Sequence, residues 1–165
     1  MTMKIVLLLV VAVTSLAWAP AGKADHAVQV QTKISTSHED PKSGPAEVVV
    51  KQMTVILTGS AKSDGEKLTV STTFYADDLA TGQEGVHKQL EASTTLGGGR
   101  VEVTLPAVAF EFTPAHAKTS GSGRRVRSVK VPATGKRYHG WVVKVSKGGE
   151  VVAQAASHPA LLTKE

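Results

Sequence analysis

Cysteine is absent from all 165 residues. Its absence excludes disulfide scaffolds, thiolate zinc sites, iron–sulfur clusters, cysteine nucleophiles and a lipidated bacterial N-terminus, each of which needs the thiol. Aromatic residues make up only 4% of the chain, too few for the broad stacking platforms that hold sugars or single-stranded nucleic acid. Helical periodicity is almost missing beyond residue 24, and so is any second long apolar run. A chain of this length, 41% hydrophobic and without disulfides, must be held together by one core, which at this size can bury roughly two-thirds of the unfolded surface.

What the chain does have begins at its N-terminus. Lys4 precedes an uninterrupted apolar run, Ile5 to Val13. A basic start followed by a run of this length reads as a secretory signal peptide, and it falls short of the roughly 20 apolar residues of a membrane span. Ala19-Pro20-Ala21 and Gly22-Lys23-Ala24 both place small residues correctly for cleavage, so the cut is expected after Ala21 or Ala24. Cleavage after Ala19 is disfavoured because Pro20 would follow. Residues 1–24 are thus expected to be the signal and 25–165 a single exported domain, periplasmic or extracellular, without an integral membrane span.

The mature stretch alternates with period two. Val28, Val30, Thr32 and Ile34 alternate with polar residues; Val48 to Thr58 is a long apolar strand; Leu68, Val70, Thr72 and Phe74 share one face; Val86 to Thr95 is a weaker, polar strand. Turn signals such as Ser63-Asp64-Gly65 and Gly97-Gly98-Gly99 punctuate these runs. Pro106 shifts the apolar parity from odd (Val101, Val103, Leu105) to even (Val108, Phe110, Phe112), which calls for a kink or bulge, or for a strand that crosses between sheets. Near the C-terminus, a three-residue loop Lys147-Gly148-Gly149 would pair Val145 with Val151, Val143 with Ala153 and Trp141 with Ala155, with Gly149 at positive φ. The expectation is an all-β sandwich of about seven to nine antiparallel strands, with a small closed barrel as the second choice.

The run Tyr138-His139-Gly140-Trp141-Val142-Val143-Lys144-Val145, a Gly-containing turn and Val151-Val152-Ala153 resembles the last hairpin of immunoglobulin-like and fibronectin-III-like domains. With the tail Ser157-His158-Pro159-Ala160-Leu161 it is also similar to poorly characterised exported bacterial β-sandwich proteins. The resemblance spans roughly Val28 to Leu162 as a pattern of strands. It departs from antibody domains in lacking the cysteine pair around the tryptophan. It implies an immunoglobulin-like sandwich and carries no activity with it.

Catalytic and metal-binding patterns are missing. His26, His38, His87, His116, His139 and His158 never stand two or four positions apart, which disfavours dismutase-like or cupredoxin-like copper sites. Neither a Gly-x-Ser-x-Gly elbow nor a phosphate-binding glycine loop occurs. Asp77, Asp78 and Glu84 match no calcium loop and read as a solvated acidic turn. Phe110, Phe112 and Trp141 read as core. No catalytic residue, cofactor or metal is therefore expected.

Charge is unevenly spread. Asp25 to Glu111 holds 7 basic and 12 acidic residues, whereas Phe112 to Gly149 holds 9 basic residues and no acid. A flexible basic loop is expected near 113–125, leading into a strand that starts near Arg127. Arg125 and Arg127 share a parity with Val129 and Val131, so the apolar half of that strand is expected to enter the sandwich while the arginines project from its beginning. Lys118, Arg124, Arg125, Arg127 and Lys130 form a candidate site for a polyanion, meaning an anionic envelope component or a protein partner. The competing reading assigns these charges to solubility and to protection of a strand edge. The sequence is read as a non-enzymatic exported interaction or envelope-associated module, with a carbohydrate-binding or enzyme-accessory module as the alternative.

Overall fold

The computed structural model describes residues 9–11, 28–39, 44–60, 63–120 and 127–163. The alternating segments form strands β1 (Leu9–Val11), β2 (Gln29–Glu39), β3 (Glu47–Thr58), β4 (Lys67–Asp78), β5 (Glu84–Thr95) and β6 (Arg100–Thr104). They continue with β7 (Val108–Thr113), β8 (His116–Ser120), β9 (Arg127–Val131), β10 (Thr134–Lys147) and β11 (Glu150–Ala156), followed by a 3-10 turn, Pro159–Thr163. Eleven strands exceed the seven to nine expected. The short β1 and the separate β8–β9 pair account for the excess. β1 lies in the stretch read as the signal, and its backbone pairs with β2 from Leu9↔Thr36 to Val11↔Ile34.

Every pairing is antiparallel. Nine strands form one hydrogen-bonded sheet that is not closed into a barrel, so the barrel alternative is set aside. The sheet has two halves. In one, β1, β2 and β3 lie side by side, and β6 and β7 share the far edge of β3; in the other, the order is β5-β4-β10-β11. The halves join where Thr134 and Gly135 of β10 pair with Thr113 and Phe112 of β7. Their inner faces meet in one core: Val30, Met53, Val55, Leu57 and Phe110 face Val70, Phe74, Trp141, Val143 and Val145. This is the outcome of alternation, since a period of two sends one set of side chains inward along each strand.

The parity shift at Pro106 is a kink within one half. Thr104 pairs with Thr54 and Val108 with Lys51, so the chain through Pro106 spends one residue more than its partner strand. That extra residue returns Phe110, like Val103, to the core-facing side. The crossing between sheets is not what occurs.

The last hairpin corrects the expected register. Lys147 pairs with Glu150 around a two-residue Gly148-Gly149 turn, Val145 with Ala153 and Val143 with Ala155. Both glycines have positive φ, 57° and 90°, as the tight hairpin turn demands. A bulge at Val152 of β11 lies opposite the step from Val145 to Ser146 on β10. The bulge, not a longer loop, brings the two apolar sets into step. Beyond it the 3-10 turn folds back over the outer face, where Leu161 packs on Val142 and Tyr75. Gly140 makes this approach possible, because a Cβ there would lie 2.5 Å from Ser157 Oγ and 2.7 Å from Leu161 Cδ1.

Candidate polyanion-binding hairpin

The predicted basic segment is a hairpin that stands away from the core. β8 and β9 pair only with each other. Thr113 faces Thr134 at the end of the main sheet, and His116 faces Val131 three residues further on. The arms therefore stay in step across the break between them. Pro114-Ala115 and Pro132-Ala133 fill that break, and the prolines, which lack an N–H, interrupt the ladder on both arms. His116 Nδ1–H donates to the Pro114 carbonyl at 3.1 Å, which braces the root.

The register divides the predicted residues between two faces. Lys118 pairs with Val129, on the same face as His116, Arg127 and Val131; Ala117 pairs with Lys130 on the other. Lys118, Arg127 and Lys130 are all exposed. No carboxylate among the described residues forms an ion pair with any of the three. Arg124 and Arg125 lie outside the described residues, in the connection between β8 and β9. The strand begins at Arg127, as expected, but its apolar half does not enter the core: Val129 is 56% exposed. Part of the stretch expected as loop, His116–Ser120, is a strand.

Three other basic residues of the block, Arg137, Lys144 and Lys147, are engaged elsewhere. Arg137 pairs with Asp77 at 3.5 Å and Lys147 with Glu66 at 2.6 Å. The acidic turn is likewise consumed by the fold. Asp78 Oδ1 accepts the N–H groups of Ala80 and Thr81 at 3.0 and 3.1 Å, and Asp77 and Glu84 flank His139, whose Nδ1 and Nε2 lie 2.9 and 3.3 Å from their oxygens.

Two histidines owe their positions to bulges that composition does not announce. His139 is the extra residue between Tyr138↔Ala76 and Gly140↔Tyr75, and His87 the extra one between Phe74↔Lys88 and Tyr75↔Val86. The first bulge aims an imidazole at the two carboxylates. The second lays His87 4.5 Å from the Phe110 ring, with Nε2–H donating to the Ala109 carbonyl at 2.9 Å. His139 and His158, 19 positions apart in sequence, come within 5.9 Å of each other, ring to ring. Among the described residues no group of three His, Asp or Glu could hold a metal ion.

None of the six described aromatic residues is exposed. Phe74, Tyr75, Phe110 and Trp141 are buried, and Phe112 and Tyr138 are half-buried. A coplanar exposed pair, which a sugar platform requires, is missing among the described residues. No helix among them is long and apolar enough to cross a membrane.

No protein-family model and no curated protein matches the sequence. A crystal structure from Akkermansia muciniphila is similar over 91% of this chain and 81% of its own, at 12% identity and a TM-score of 0.41.

Proposed function

We propose that the protein is an exported, non-enzymatic module with an immunoglobulin-like sandwich body, and that it attaches to a polyanionic envelope surface through the β8–β9 hairpin. The observation that carries this reading is a hairpin outside the core whose described cations, Lys118, Arg127 and Lys130, have no carboxylate partner among the described residues. Unpaired, exposed cations of one sign create an attractive field for an anionic surface. The Lys4 and Ile5–Val13 pattern supports export. The absence of exposed described aromatics removes the main support for carbohydrate binding.

The test replaces Arg124, Arg125 and Arg127 with serine and measures retention on heparin and on anionic vesicles from low to physiological salt. The wild type is expected to be retained at low salt and released steeply as salt rises. Equal retention of the folded triple variant would assign these charges to solubility alone.

A further inference from the structure

The core-facing row of β3 runs Val49, Lys51, Met53, Val55, Leu57. Met53, Val55 and Leu57 are fully buried. Lys51 interrupts this apolar series with an ammonium at the open end of the core. That ammonium donates to Thr36 Oγ1 at 2.8 Å and sits 4.6 Å from the centre of the Tyr138 ring. Among the described residues no carboxylate pairs with it. Burial holds its pKa below the ordinary lysine value, as expected for a cation withdrawn from water without an anion to balance it.

Lys51 faces a cleft of about 330 Å³ between β2 and β10, within the size range of about 300–1,000 Å³ typical of small-molecule sites. Ile34, Tyr138 and Trp141 supply apolar wall, and Ser157 and His158 form a polar border. One cation with apolar walls matches a ligand with one negative charge and a hydrocarbon body. A multiply charged phosphate would leave most of its charge uncompensated there, and a neutral lipid would leave the ammonium unpaired.

We propose that this cleft binds a small aliphatic carboxylate, its head group on Lys51 and its chain along Ile34, Tyr138 and Trp141. The two remaining ammonium N–H groups are available to carboxylate oxygens, since one is held by Thr36 and the ammonium carries three. A charge-assisted hydrogen bond in a partly desolvated cleft is stronger than its counterpart in water. The site is separate from the β8–β9 hairpin and is independent of what that hairpin binds.

The test is calorimetric titration of the purified protein, as processed by its host, with sodium octanoate and with octanol. Octanoate is expected to bind at least tenfold more tightly than octanol. Lys51→Met keeps the aliphatic stem and removes the charge; it should weaken octanoate at least tenfold and leave octanol binding unchanged or improved. Ile34→Asp supplies an internal carboxylate beside Lys51 and should abolish octanoate binding, and it serves as the second variant if Lys51→Met does not fold. The proposal is overturned if octanoate gives no saturable heat, if octanol binds equally well, or if the folded variants retain octanoate with wild-type affinity.

Discussion

Trp141 is the largest side chain of the core and is 2% exposed. It pairs with Phe74 across the β4–β10 ladder, and its backbone is clamped to the C-terminal tail: its N–H donates to Ser157 Oγ at 3.0 Å, and Ser157 N–H donates to its carbonyl at 3.0 Å. Its opposite number is thus Ser157 and not the expected Ala155, which faces Val143. Burial, however, is as expected, and Trp141→Ala should cost about 3–5 kcal/mol. Urea titration of both proteins measures this, and a loss below about 1 kcal/mol would show that the ring contributes little to the core. Tyr138 gives a second residue-level expectation. Burial pushes its phenol up to about 12, so the native state keeps a proton that the unfolded chain releases near pH 10. The resulting stability is complete below pH 10 and is lost as pH rises through about 12. After allowance for partial exposure the loss is roughly 1–2 kcal/mol. Lys51, with its lowered pKa, acts with the opposite sign as pH approaches its ordinary range. The difference between wild type and Tyr138→Phe isolates the tyrosine: the variant should lose less stability than wild type between pH 10 and 12.

At the level of elements, the β8–β9 hairpin is an excursion that the sheet does not need. Thr113 and Thr134 already pair at its root, so a two-residue Asn-Gly turn can join them directly. Replacing residues 114–133 in this way should move the thermal midpoint by less than about 4 °C, equivalent to roughly 1 kcal/mol for a domain of this size, and should abolish heparin retention. A larger drop would place the hairpin within the cooperative fold. The same region shows what could be read in advance and what could not. Arg127 as a strand start and the basic field were visible in parity and charge. Whether Val129 and Val131 belong to the core was not visible, because an alternating strand has the same pattern whether its apolar face meets a partner sheet or projects beyond it. A proline on each arm, Pro114 and Pro132, was the available signal. Strand positions were legible because alternation records which side is buried. Bulges at His87, His139 and Val152 were not, since each adds a single residue whose compensation lies on a partner strand distant in sequence. The Lys51 cleft was hidden for a related reason: a lysine in an apolar row has meaning only once Thr36 and Tyr138 are placed beside it.

At the level of the whole molecule, charge is sorted by how the fold uses it. Of the nine basic residues from Phe112 to Gly149, Arg137 and Lys147 are paired with acids and Lys144 is also engaged. Lys136 lies in the body of the sheet opposite Asp78. The remaining five are Lys118, Arg124, Arg125, Arg127 and Lys130, all in the hairpin and its connection. Under the proposed function, the acidic residues that outnumber bases between Asp25 and Glu111 would disfavour contact elsewhere and confine a polyanion to this arm. This confinement sets the salt dependence. Each phosphate neutralised on duplex DNA, used here as a polyanion of known charge spacing, contributes about −0.9 to the slope of log K against log salt. Five hairpin cations should give a slope of about −4 to −5, and replacing Arg124, Arg125 and Arg127 with serine should bring it to about −2. Fluorescence anisotropy across a salt series measures both slopes. A wild-type slope near −8 would mean that the paired body residues also reach the polyanion, and a slope unchanged in the triple variant would mean that the hairpin is not where contact occurs.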